Sequence, residues 1–236
     1  MKKVLLVAVA AATLVGCSKS DEQAAITTIV SDNNSDQSTE RRMDKVRIGT
    51  QTWSLTNLSV VKYQNGDPIP QVTNPEQWDT LTTGAWCWYN NDSANYSKYG
   101  RLYNWYAVHD PRGLAPRGWH VPTNQEWDVL TKHIEPSADT STPGYIGTVV
   151  GNSLKSTVDW GNGGVGTNSS GFTALPGGIR VQGGVFGAVR FWGIWWAVGN
   201  PDPWNGWYRL LHSNTSQMLK ERYTKSFGLS VRVVKD

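Results

Sequence analysis

The sequence predicts an α+β fold, with short helices in the N-terminal half and a twisted antiparallel sheet with long loops in the C-terminal half. Three observations predict it. Thr123-Asn124-Gln125-Glu126 is a capping box that opens an amphipathic helix. Beyond that helix the apolar runs shorten to strand length between Gly-rich turns at 161–166 and 183–184. The composition, 24 Gly and 13 Trp in 236 residues, suits a loop-rich fold in which a few large rings supply much of the buried area.

Each element follows from local chemistry. Val46 and Ile48, then Gly49-Thr50, then Trp53 and Leu55 read as two short strands around a tight turn. Asn74-Pro75-Glu76 reads as a short helix start, with Asn as N-cap, Pro at the first helical position and an acid in the first turn. Leu102, Trp105, Tyr106 and His109 fall at helical spacing, which predicts a helix over 99–109. In the capping-box helix Trp127, Leu130 and Ile134 share one face, and Pro136 ends it. Strand-like runs follow at 172–175, 191–198, 207–211 and 229–234. No linker interrupts the chain after Lys45, so 45–236 reads as a single domain.

The N-terminus has a different character. Lys2-Lys3 precedes a short apolar run at 4–15, too short to span a bilayer comfortably, and Leu14-Val15-Gly16-Cys17 matches a lipobox. Residues 1–17 therefore read as a lipoprotein signal peptide with lipidation at Cys17. Residues 18–44 are polar and lack apolar periodicity, as expected of a disordered tether. Asp21-Glu22 resembles the surface-export signals of some Gram-negative lipoproteins, which predicts a lipid anchor in the outer membrane and display at the cell surface. The membrane is met through the lipid alone. Of 22 Lys and Arg and 19 Asp and Glu, 5 and 6 lie within 1–44, leaving 17 against 13 beyond. That excess is too small and scattered for a nucleic-acid partner. Cys87 is the one thiol outside the signal region, so no internal disulfide is available, and between Trp86 and Trp88 it reads as buried filler.

Three strings carry a family resemblance. They are Tyr99-Gly100-Arg101-Leu102-Tyr103-Asn104-Trp105, then Pro116-Arg117-Gly118-Trp119-His120-Val121-Pro122-Thr123-Asn124-Gln125-Glu126-Trp127, and finally Ser170-Gly171-Phe172-Thr173-Ala174-Leu175-Pro176-Gly177-Gly178 with Gly228-Leu229-Ser230-Val231-Arg232. Over Val46 to Asp236 the chain resembles the Fibrobacter succinogenes major paralogous domain family. That resemblance implies a C-type-lectin-like fold related to the formylglycine-generating enzymes, and no settled activity. Family members often carry a cysteine pair where this chain has Ala115 and Val233, which implies one lost disulfide.

Catalysis finds little support. The C-terminal cysteines that formylglycine generation requires are absent. His109, His120, His133 and His212 lack the spacing of zinc ligands. There is no nucleophile elbow and no indicated carboxylate pair. The Asn200-Pro201-Asp202 and Trp204-Asn205 strings offer too few oxygens for calcium. No catalytic residue, metal or cofactor is assigned.

Binding fits better. C-type-lectin-like folds present ligands to their C-terminal half, here about 177–225, with Trp207 and one of Trp195 and Trp196 expected in the core. Arg190, Phe191, Trp192, Trp204, Tyr208, His212, Arg222 and Tyr223 are the expected contacts, since aromatics and Arg concentrate binding energy. The expected partner is an extracellular protein or glycan, in an adhesin-like role or in polysaccharide capture. Three alternatives stand beside this reading. One is a retroelement-diversified binder varying at Arg190, Phe191, Ile194, Tyr208, Leu210 and His212; the others are a structural envelope or filament component and an enzyme of unknown activity.

Overall fold

The computed structural model describes residues 43–164, 166–199 and 202–236, so Cys17 and residues 18–42 of the tether lie outside the described residues. It is an α+β fold of twelve short strands and five short α-helices among the described residues. In chain order these are β1 (Lys45–Ile48), β2 (Gln51–Ser54), α1 (Pro75–Asp79), β3 (Trp86–Cys87), α2 (Ser93–Tyr96), β4 (Leu102–Tyr103), α3 (Trp105–Val108), β5 (Trp119–His120), α4 (Asn124–Ile134), β6 (Gly144–Ile146) and α5 (Val150–Leu154). The C-terminal half adds β7 (Ile179–Arg180), β8 (Phe186–Gly187), β9 (Trp192–Ala197), β10 (Asn205–His212), β11 (Met218–Thr224) and β12 (Val234–Lys235).

The expected hairpin forms. β1 and β2 pair in the register Val46↔Trp53, turning at Gly49, whose φ of +58° favours glycine. β12 then adds to β2 through Val234↔Trp53 and to β5 through Val234↔His120, giving the order β1-β2-β12-β5. The first and last strands of the domain thus share one sheet.

The second sheet has the order β6-β11-β10-β9 and is antiparallel throughout. Its two faces serve two separate cores, because side chains alternate along a strand. Ile194, Trp196, Tyr208 and Leu210 enter one cluster with Trp105 and Tyr103. Trp195, Ala197, Leu211 and Met218 enter the other with Trp53, Trp127 and Phe172. Both Trp195 and Trp196 are therefore buried, where alternation alone predicted one. Trp207 packs against the second core but remains half-buried.

Two helix starts form as read. Asn74 Oδ1 accepts from Gln77 N–H at 2.7 Å and caps α1. The Thr123 hydroxyl accepts from Glu126 N–H at 3.2 Å, while the Glu126 carboxylate accepts from Thr123 N–H at 2.7 Å, completing the capping box of α4. The helix predicted over 99–109 is corrected. Gly100 turns the chain at φ +75°, Leu102 and Tyr103 pair with Cys87 and Trp86 as strands, and only Trp105–Val108 is α-helical. Asn104 enforces the break: its side-chain carbonyl accepts from both Ala107 N–H and Ala85 N–H at 3.0 Å. The run at 172–175 also forms no strand, only a bridge at Ala174.

Two buried arginines hold the loops to the core, one of them from the strings behind the resemblance. Arg232 is fully buried and pairs with no carboxylate among the described residues. Its guanidinium donates to Asn57 Oδ1 at 2.9 Å and to the carbonyls of Ser54, Phe172 and Thr173 at 2.5, 3.2 and 3.0 Å, and lies 4.5 Å from the Phe172 ring. Arg180 is likewise buried, donating to the carbonyls of Val72, Thr73, Asn74 and Gly184 and lying 4.4 Å from the Trp78 ring. Buried charge is tolerated only when its donors are met, and here loop carbonyls meet them. The side chains thereby tie together loops that have few ladder bonds of their own. Ala115 and Val233, the positions of the absent cysteine pair, both lie buried in one apolar cluster.

Candidate functional site

The eight expected contact residues do not form one surface. Four of them gather where Trp192 pairs with His212, and the others gather where β10 begins. The ladder from Trp192↔His212 to Trp207↔Ala197 runs five residues, about 17 Å at ~3.4 Å per residue.

At the first end Arg190 is exposed, with φ +70°. Phe191 is only 38% exposed and its ring covers Gly161, where a Cβ would come within 2.7 Å of it. Trp192 is half-buried, 5.9 Å from the His212 ring. Burial and the neighbouring Lys155 charge hold His212 below its ordinary pKa. These rings seal the end of the sheet.

At the other end one expectation is corrected. Tyr208 is 1% exposed, because its position on β10 faces the first core. Tyr223 stacks on it, with ring centres 4.3 Å apart at 19°, and is half-buried. Arg222 is exposed and lies over the Trp207 ring at 4.6 Å, with Nη1 3.0 Å from Asp202 Oδ2. The other Asp202 oxygen accepts from Trp204 N–H and Asn205 N–H, each at 2.9 Å. Asp202 is thus committed to its own loop, and these bonds, with Arg222, hold its carboxyl below the usual range. Trp204 is the outlier, 78% exposed while its backbone is fixed on both sides. Its carbonyl accepts from Lys225 N–H at 3.1 Å.

Lys225 leads from Trp204 into a cleft that sequence reasoning missed. About 270 Å³ in volume, it is lined by Thr82, Thr83 and Gly84, by Trp105, Tyr106, His109, Asp110, Pro111 and Arg112, and by Lys225. Lys225 joins the parts: its carbonyl accepts from Trp105 N–H at 3.0 Å and its ammonium donates to Pro203 O at 3.1 Å. The His109 ring stacks on Trp105 at 5.8 Å and 13°. Arg112 grips Asp110 with two bonds of 2.8 Å, reaches Asp67 at 3.2 Å, and covers the Tyr63 ring at 4.1 Å. Gly84 is required here, since a Cβ would collide with the Tyr63 hydroxyl. The aromatic run 105–109 followed by Asp110-Pro111-Arg112 was the available signal, but the predicted helix absorbed it.

The cleft offers the His109 and Tyr106 rings, threonine hydroxyls and fixed charges. Arg112 holds the Asp110 carboxyl down to about 2, too acidic for a general base near neutrality. Cys87 is fully buried and burial pushes its thiol up to about 12, so it is inert as a nucleophile. His120 is held between Glu126 Oε1 at 2.5 Å and Asp236 Oδ1 at 2.7 Å, serving α4 and the chain end. Among the described residues no three His, Cys, Asp or Glu side chains converge as metal ligands. A second hollow of about 280 Å³, bordered by Arg47, Gly49, His133 and serines, contains no Trp, Tyr or Phe.

No curated protein and no solved structure matches the chain significantly. The family model described as the Fibrobacter succinogenes major domain matches residues 46–235, a span that takes in nearly all of the described fold, the cleft included. The chain belongs to the Fibrobacter succinogenes major domain family.

Proposed function

We propose that this chain is a non-catalytic lipoprotein, anchored through Cys17 in the outer membrane and displayed at the cell surface, which binds an extracellular glycan or protein through a C-type-lectin-like domain. One observation carries the reading: Trp204 is 78% exposed on a loop whose backbone is pinned by Asp202 and by Lys225, a residue that also lines the cleft. Exposing an indole is unfavourable, and a rigid one loses little conformational freedom on contact, the property of a binding anchor. The Trp192–His212 end contributes less, since its rings are engaged in packing. The retroelement alternative gains no support, because Ile194, Tyr208 and Leu210 are buried and their variation would disturb the core.

The test is binding of the full chain to a glycan array and to cell-surface proteins, compared with Trp204→Ala. Loss of an anchor on the order of 2 kcal/mol would weaken binding about thirtyfold. Unfolding should be unchanged, since the ring touches little of the core. Wild-type binding by Trp204→Ala overturns the placement of the site, and self-assembly of the purified chain without any ligand would favour the structural role instead. Protease shaving of intact cells tests surface display.

A further inference from the structure

We infer that the cleft beside Trp204 receives a sugar unit bearing a carboxylate, with Lys225 as its counter-ion; this rests on the cleft being the ligand site. Charge is the first argument. The lining carries two permanent cations, Arg112 and Lys225, against one carboxylate, Asp110. Arg112 is compensated twice, by Asp110 at 2.8 Å and Asp67 at 3.2 Å. Lys225 forms no ion pair among the described residues, and the one acceptor its ammonium meets is the Pro203 carbonyl at 3.1 Å. An ammonium has three donors, so two remain for an anion.

Ring faces and hydroxyl-matched groups are the second argument. Trp105 is buried and backs the exposed His109 ring in a parallel stack, Tyr106 is half-buried beside them, and Trp204 is joined to the lining through its backbone bond to Lys225. Aromatic faces take the C–H surface of a pyranose. The Asp110–Arg112 pair places acceptors and donors side by side, an arrangement that vicinal hydroxyls satisfy as a set. Thr82 and Thr83 add further polar groups to the lining. At about 270 Å³ the hollow lies just below the range of sites that enclose a drug-sized ligand, so it suits one terminal unit of a longer chain. An acidic peptide would satisfy Lys225 but would leave the hydroxyl-matched wall unused.

The test is calorimetric titration of the full chain with oligosaccharides ending in hexuronate or sialic acid, their carboxyl-reduced counterparts, and oligoglutamate. At least one acidic saccharide should bind, and reducing its carboxyl should weaken binding about tenfold, the value of one charge-assisted contact. Lys225→Gln should match that loss, Lys225→Arg should restore most of it, and affinity should fall as salt rises. Equal binding of the reduced saccharide, with Lys225→Gln silent and Trp204→Ala harmful, overturns the carboxylate while the cleft stands. Saccharide binding indifferent to Trp204→Ala and Lys225→Gln alike overturns the cleft as well. Failure of every acidic saccharide, or preference for oligoglutamate, overturns the inference directly.

Discussion

Replacing Arg232 by methionine tests how the core tolerates buried charge. Methionine keeps the unbranched apolar stem and donates nothing. Asn57 Oδ1 still accepts from Trp195 Nε1 at 2.8 Å, so three carbonyls lose the guanidinium, those of Ser54, Phe172 and Thr173. Each unmet buried acceptor costs about 1–3 kcal/mol. Losing the cation above Phe172 removes on the order of 1–2 kcal/mol more. Opposing this, the variant no longer desolvates a guanidinium, whose burial here pulls its pKa down to about 9. That penalty is several kcal/mol per ion. The carbonyls should win by about 3 kcal/mol, roughly 6–12 °C in Tm for a domain of this size. Arg232→Lys should not rescue, since one ammonium cannot span four acceptors arranged around a planar fork. Urea unfolding followed by Trp fluorescence measures the difference. A methionine variant as stable as wild type would refute the reasoning, showing that the carbonyls find water or each other.

Thr123→Ala removes the α4 cap and should cost about 1 kcal/mol in urea unfolding, whereas Thr123→Ser should be nearly neutral. Burial opposes the charged form of His120, but hydrogen bonds and charge from Asp236 and Glu126 outweigh it and raise its pKa above 6.5. Its stabilisation is therefore complete below 6.5 and is lost as pH rises through the folded value; the ring is 38% exposed, so the slope should be shallow, and Asp236→Asn should flatten it further. Cys87, at about 12, should resist iodoacetamide at pH 8 in the folded chain and react once urea unfolds it, which mass spectrometry reads directly.

Features set by neighbouring residues were legible in the sequence. The capping box, the Asn74-Pro75 start and the Gly49 turn each depend on atoms a few positions apart, and each forms as read. The segment 99–109 failed for an equally local reason that spacing does not register: Gly100 and Asn104 both have better uses outside a helix. Burial on β9 and β10 was harder. Alternation assigns side chains to two faces, but whether a second face meets solvent or another core depends on what packs there. Here Trp53, Trp127 and Phe172 arrive from elsewhere and cover it. The cleft was least visible of all, because Thr82, Trp105 and Lys225 meet only through tertiary contacts across more than a hundred residues.

The sharing of one sheet by both ends of the domain has a mechanical consequence. β1 is an outer strand of four residues, paired among the described residues only with β2, and any pull arriving through Asp44 loads it first. β2 is braced on its far side by β12, which is in turn braced by β5. Tension should therefore open the first hairpin one rung at a time and stop at the Val234↔Trp53 contact, sparing the opposite sheet and the ring-lined hollow. The first strand would act as a sacrificial fuse, giving slack under drag while the rest of the domain stays assembled.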